Sequence, residues 1–300
     1  MNIEKVKGNT FCIDTGMTYI PFYKIDEQKI IMFDSGWARG EREGIEDIFR
    51  ENNFKVAAII SSHSHIDHIG NNAYFKKKFN CIIAMSEPEA FICDSIINLK
   101  VYYGGQSLTD VKKHFGHMVC KTDIIISDEQ DSVFICGIKF KIIHTPGHSP
   151  GHICIITPDD VLYIGDALIG YDVMNSAKMP YALMLKEDLK SKNKLYDVEC
   201  SKYIVAHKGI YDDIKQLISD NIDFYKFRSK RICELINGNM TMEEILRTVI
   251  KAFHIHINSI YKYNVIERSL KSYIEYLTEE EKVKPNICDG FMKYGKVNIL

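Results

Sequence analysis

Short apolar runs bounded by Gly, Asp, Asn or Pro recur through residues 1–210. Rich in Ile, Val, Phe and Tyr, they predict strands at 9–14, 19–25, 29–34, 56–62, 81–85, 132–136, 139–144, 152–157, 161–164 and 202–205. Polar turns at 26–28 and 159–160 predict hairpins between neighbouring runs. Between the strands, residues 42–53, 71–79 and 86–99 carry apolar positions at helical spacing. Strands in consecutive runs with intervening helices imply sheets covered by helices on their outer faces.

From about Tyr211 the period changes. Ile214, Leu217, Ile218, Ile222 and Tyr225 fit one face of a 3.6-residue helix, which Asn237-Gly238 stops. Thr241-x-x-Glu244 reads as a capping box opening a helix through Ala252, and a third helix spans about 260–277. Asp289-Gly290 then centres a hairpin over 282–297. Helices followed by a hairpin is the order of a winged-helix module, so two domains are expected, 1–210 and 211–300.

Composition narrows the class. The 300 residues are 46% hydrophobic and 26% charged, enough for a sizeable core. Lys and Arg number 38 against 40 Asp and Glu, so no basic field draws in nucleic acid or membrane. No apolar run is long enough to span a bilayer. Residues 1–20 interleave Glu4, Lys5, Lys7 and Asp14 with apolar positions, without the apolar stretch of a secretory leader. The nine cysteines are scattered without C-x-x-C and read as buried reduced thiols. A cytoplasmic protein is the expectation.

One segment dominates the chemistry: Ser61-Ser62-His63-Ser64-His65-Ile66-Asp67-His68. It follows the apolar run 56–60, which delivers His63 and His65 on one side of a strand end, with Asp67 and His68 in the turn opening the next helix. Imidazoles crowded there are costly to bury without a metal. Imidazole and carboxylate together suit Zn²⁺, with Fe or Mn accepted by the same donors. Three further apolar runs each deliver one polar side chain: His148 within Thr145-Pro146-Gly147-His148, Asp166 after 161–165, and His207 after 202–206.

With Asp34 in Phe33-Asp34-Ser35-Gly36, this ordered set resembles the metallo-β-lactamase superfamily over residues 9–210. Asp166 and the T-P-G-H segment are similar to the glyoxalase II, lactonase and ribonuclease branches. The antibiotic-hydrolysing lactamases typically carry cysteine at that Asp position. Flavodiiron oxidoreductases usually carry Glu where this chain has His65. The resemblance implies an αββα sandwich with a small, mainly helical, winged-helix-like C-terminal domain. It implies one divalent metal on His63, His65 and His148, a second on Asp67, His68 and His207, and Asp166 bridging both. Asp34 would anchor the metal-bearing loop. Two such ions acidify a shared water and polarise the attacked group, and Asp67 could pass a proton to the leaving group.

The expected function is therefore a dinuclear zinc hydrolase using a metal-bridging hydroxide on a small acyl substrate, a thioester or lactone. The alternative is a phosphodiesterase or ribonuclease. Against it, residues 213–300 hold 14 Lys and Arg beside 12 Asp and Glu, no phosphate-tracking stripe. A third reading makes the tail a homodimerisation or lid module. Segments 84–116 and 170–197 are expected to be the specificity loops. His152 reads as packing, and His114, His117 and His144 have no spacing that argues for a site; Tyr171 and Tyr181 read as packing too, although either tyrosine could orient substrate. The basic run Lys226-x-Arg228-x-Lys230-Arg231 reads as a solvated helix face.

Overall fold

The computed structural model describes residues 1–297. Its first sheet runs β1 (Asn2–Lys7), β2 (Thr10–Asp14), β3 (Tyr19–Lys24), β4 (Lys29–Phe33), β5 (Lys55–Ile60), β6 (Ile82–Ser86) and β7 (Ile124–Ile126), in that spatial order. Pairing is antiparallel up to β4 and parallel from β4 to β7. Parallel neighbours need crossovers, supplied by α1 (Arg42–Glu51), α2 (Ile66–Ile69), α3 (Asn72–Phe79), α4 (Glu87–Cys93), α5 (Ile96–Tyr102) and α6 (Leu108–Phe115).

The second sheet contains β8 (Ser132–Ile135), β9 (Ile138–His144), β10 (Ile153–Ile156), β11 (Val161–Gly165), β12 (Lys202–Val205) and β13 (Ile210–Tyr211), ordered β13-β12-β11-β10-β9-β8. The parallel β11–β12 pair is bridged by α7 (Tyr171–Ser176) and α8 (Leu185–Lys194). Three long helices follow: α9 (Lys215–Leu235), α10 (Met242–Ala252) and α11 (Ile260–Glu279). The hairpin β14 (Val283–Cys288) and β15 (Phe291–Lys296) closes the described chain, and Met240 bridges antiparallel to Tyr294.

Alternation along the strands builds the layers. In β4, Ile31 and Phe33 face the second sheet, while Ile30 and Met32 face α1 and α3. In β11, Val161 and Tyr163 face the first sheet, while Leu162 and Ile164 join a core shared with α8 to α11. The result is helix, sheet, sheet, helix, as the α/β sequence reading anticipates. The outermost core is unbroken from Cys154 to Tyr294.

Differences from the expected elements are local. β1 exposes most of its length as a charged edge strand, which hides its pattern. The expected helix over 86–99 is two helices, separated at Asp94-Ser95, and Ser95 caps the second. The segments read as specificity loops hold α4–α6 and α7–α8. Five of the nine cysteines are buried; Cys136 is exposed and Cys200, Cys233 and Cys288 are half-buried.

Candidate metal centre

Every sequence-predicted site residue lies at one edge of the sandwich. Asp34 follows β4, His63 to His68 follow β5, His148 joins β9 to β10, Asp166 follows β11 and His207 follows β12. β5 ends at Ile60, before His63, so both early histidines sit in an extended loop, and His65 occupies the N-cap position of α2.

Three groups of side chains among the described residues could hold a metal ion: His63, His65, His148 with Asp166; Asp67, His68 with His207; and Asp34 with His63 and His68, whose contacts are hydrogen bonds described below. Asp166 touches the first two, with Oδ2 3.3 Å from Nε2 of His148 and of His207, and Oδ1 3.5 Å from His68 Nε2. In the first group His65 Nδ1 lies 2.9 Å from His63 Nε2 and 3.0 Å from His148 Nε2. In the second, Asp67 Oδ2 lies 3.4 Å from His207 Nε2.

Hydrogen bonding fixes which nitrogens face the centre. Asp34 Oδ2 accepts from Ser62 Oγ at 2.7 Å, from His68 Nδ1 at 2.8 Å and from Tyr163 Oη at 2.6 Å, while Oδ1 accepts from the Ser62 amide at 2.7 Å. Having donated to Asp34, Ser62 Oγ accepts from His63 Nδ1 at 3.0 Å. His63 and His68 therefore both carry their proton on Nδ1 and turn the Nε2 lone pair inward. His68 Nε2 and Asp166 Oδ1 are buried without a hydrogen-bond partner. Unpaired buried acceptors are costly, so this donor set fits divalent cations.

Charge follows the same geometry. Burial pushes His63 and His148 well below the usual histidine range and His65 down to about 4, which keeps their lone pairs free. For His68 burial pulls down too, but the carboxylates of Asp166, Asp67 and Asp34 outweigh it and raise the ring. Asp166 is the converse: burial works upward, and His207, His68 and His148 hold its carboxyl well below the carboxylate range.

Residues 13–207 match the Metallo-beta-lactamase superfamily. The chain belongs to that superfamily, a family of hydrolases. The Hydroxyacylglutathione hydrolase GloC of Haemophilus influenzae is 25% identical over 220 residues, 72% of this chain and 94% of that one. A protein of Aquifex aeolicus is 31% identical over 139 residues, 46% of this chain, which spans only 59% of that relative's length. A metallo-beta-lactamase family protein of Thermus thermophilus superposes with a TM-score of 0.70 at 18% identity, over 93% of this chain and 94% of that one. This last likeness shares the fold.

Around the superfamily edge stand residues that local spacing did not reveal. Buried Glu89, from α4, accepts from the Ser64 amide at 2.8 Å and from Ser64 Oγ, and with its other oxygen from Ser149 Oγ and the Gly151 amide at 2.7 Å. It ties the loops of His65 and His148 together. The one available sign was an acidic residue on the apolar face of a helix, beside Ile92 and Cys93. Both ring nitrogens of His152 are hydrogen-bonded within the fold: the Asp166 amide donates to its Nε2 at 3.1 Å and its Nδ1 donates to Thr145 Oγ1 at 2.8 Å. Tyr171 points away and donates to Asp220 at 2.9 Å. Tyr181 instead lies over the centre, its ring centroid 5.4 Å from that of His65 and 5.5 Å from that of His148.

Two cavities open on the centre. One, about 490 Å³, lies between His65, His148 and Asp166 and the α11 residues Tyr261, Asn264, Val265 and Arg268. The other, about 510 Å³, lies against Trp37, Glu41 and His207. Asp67, Ile66 and Tyr261 line both. Among the described residues no helix is long and apolar enough to cross a membrane.

Proposed function

We propose that this chain is a dinuclear metal hydrolase, zinc-dependent by choice of donors, that cleaves a small acyl substrate such as a thioester or lactone. The observation carrying this reading is the cover over the site. α11 lays the stripe Tyr261, Asn264, Val265 and Arg268 across the ligand cluster and leaves a cavity of about 490 Å³, within the range of small-molecule sites. The similarity to the Haemophilus hydroxyacylglutathione hydrolase supports the same substrate type.

In this reading His63, His65, His148 and Asp166 would hold one ion, and Asp67, His68 and His207 a second beside the same Asp166. The ions would supply Lewis-acid polarisation of the attacked carbonyl and acidify water for the attack. The chain's own residues do the rest. Asp34 and Ser62 orient two imidazoles, and the His152 ring holds the Asp166 backbone. Asp67, about one-third exposed and bordering both cavities, carries a proton toward the leaving group. Residues 211–300 we read as a winged helix, with Met240 pairing to β15 as its third strand. Its last helix is turned onto the catalytic cavity, which favours a lid over a nucleic-acid grip.

The test is kcat/KM of the metal-replete protein on a thioester and lactone panel beside a phosphodiester. Dominant acyl hydrolysis, lost in Asp166→Ala, is the expected result; dominant phosphodiester cleavage overturns the reading.

A further inference from the structure

In the tyrosine-lined cavity under α11, Arg268 is a cation with no carboxylate in ion-pair reach among the described residues. Arg268 stands at position i+7 of the helical stripe Tyr261, Asn264, Val265, Arg268. Its guanidinium carbon lies 4.1 Å from the Tyr102 ring centroid, 5.5 Å from that of Tyr103 and 5.6 Å from that of Tyr181. Aromatic faces and a tyrosine hydroxyl tolerate a cation but do not neutralise its charge. Among the described residues no carboxylate lies within ion-pair reach of Arg268, and the adjacent Glu267 is turned to Lys271 at 3.3 Å. Buried Glu89 is fully used by Ser64, Ser149 and Gly151.

Two more donors on the same cavity wall are unused. Asn264 Nδ2 and Tyr181 Oη are both buried without a hydrogen-bond partner. Buried polar atoms in a folded chain nearly always have partners, and a donor left alone there carries a desolvation cost. Two unpartnered polar atoms and a guanidinium that meets tyrosines but no carboxylate face one cavity whose floor is the His/Asp cluster. Guanidinium fork geometry matches a carboxylate or a phosphate, and charge-assisted bonds of this kind are roughly twice as strong as neutral ones.

We propose that Arg268, Asn264 and Tyr181 form an oxyanion-binding subsite, and that the substrate is an acyl compound carrying a carboxylate or phosphate away from the bond that breaks. The subsite rests on the small-acyl hydrolase reading for its use, though not for its existence. Arg268 is a specificity residue here; a purely structural clamp between α11 and α5 would leave charge preference untouched.

The experiment compares two matched pairs on the metal-replete full chain. The first is the N-acetylcysteamine thioesters of glutaric acid and of its monoamide, which differ by one charge on the acyl side. The second is the butyryl thioesters of 4′-phosphopantetheine and pantetheine, which place the charge on the thiol side. We expect the charged member of at least one pair to be preferred about tenfold or more in kcat/KM, and the pair that responds tells carboxylate from phosphate. In Arg268→Gln that ratio falls to near one, whereas Arg268→Lys, which keeps the charge but loses the fork, retains part of it. Asn264→Leu lowers it too, which keeps the test intact if Arg268→Gln does not fold. Ratios near one in the wild type, or a preference that survives Arg268→Gln, overturn the proposal. Calorimetric binding of glutarate against glutaramate gives a readout without turnover. Tighter glutarate binding that depends on Arg268, with no thioester cleaved, keeps the subsite and overturns the hydrolase reading. Thioester cleavage without charge preference in either readout does the reverse.

Discussion

His68 Nδ1 lies 2.8 Å from Asp34 Oδ2, with both side chains only 2% exposed. That contact decides which nitrogen of His68 is free for a metal. Asp34 sits at φ 64°, a left-handed conformation that Asn also adopts readily, so Asp34→Asn changes the acceptor without changing the backbone. The amide cannot accept from His68, Ser62 and Tyr163 together. Removing such a supporting partner typically costs about 10–100-fold in metal affinity. The expected outcome is metal loss with little loss of fold, checked by metal analysis after dialysis against a graded chelator. Wild-type retention of both ions contradicts the assignment.

Glu89 bonds to two loops that are far apart in sequence and share no strand. Glu89→Gln replaces one accepting oxygen by a donor, which then faces a donor already present on Ser64 or on Ser149 and Gly151. A buried mismatch of this type costs about 1–3 kcal/mol. We expect a lower melting temperature together with lower metal content, because the His65 and His148 loops separate. Unchanged metal content in a destabilised variant limits Glu89 to stability alone.

What was legible in the sequence was whatever one short segment carries. His63, His65, Asp67 and His68 lie within one loop and one helical turn, and Asp166 and His207 each end an apolar run. Short apolar runs likewise predicted most of the strands, because strands with a core on both faces are apolar along most of their length. Residues defined by what meets them in space stayed hidden. Glu89 and Arg268 belong to no motif, and the sequence reading singled out neither. The helices α6, α7 and α8 were missed because short, polar stretches such as Lys186–Lys194 show little apolar period. Yet α8 does carry a sign: Asp188 and Lys192 share its buried stripe with Leu185 and Leu189.

Those two charges form a buried pair, Lys192 Nζ to Asp188 Oδ2 at 2.5 Å, with the ammonium 4.5 Å from the Tyr225 ring centroid of α9. Breaking such a pair from one side costs about 3–5 kcal/mol, while replacing both members by apolar residues is close to neutral. Lys192→Met should therefore be strongly destabilised and Lys192→Met/Asp188→Leu largely restored. The pH sign follows from Asp188, whose carboxyl is pushed up by burial and held back by Lys192. A carboxyl raised in the folded state loses stability as pH rises through its folded value. The deficit of Lys192→Met should be largest at about pH 8 and shrink as pH falls. Urea unfolding at both ends of that range checks it, and a pH-independent deficit counts against an uncompensated Asp188.

Gly147 meets the same helix from the other side. Its φ of 134° lies where L residues rarely go, and a Cβ there would stand 2.1 Å from the Asp188 backbone nitrogen and 2.2 Å from its Cα. Its carbonyl accepts from the Leu183 and Met184 amides at 2.9 Å, so this loop and the start of α8 cannot separate without losing both bonds. Gly137 offers the contrast: φ is 80°, and nothing lies within 4 Å of a Cβ. Gly137→Ala should cost only the left-handed strain, about 1–2 kcal/mol. Gly147→Ala must in addition move a backbone, and because His148 is the next residue the displacement reaches the metal. Thermal melts of the two variants, with and without chelator, measure both effects. We expect the Gly147→Ala melting temperature to lie well below that of Gly137→Ala and to respond less to chelator than the wild type does, since its metal is already weakly held. Equal melting temperatures, or a wild-type chelator response in Gly147→Ala, would mean that the His148 loop is freer than its contacts with α8 imply.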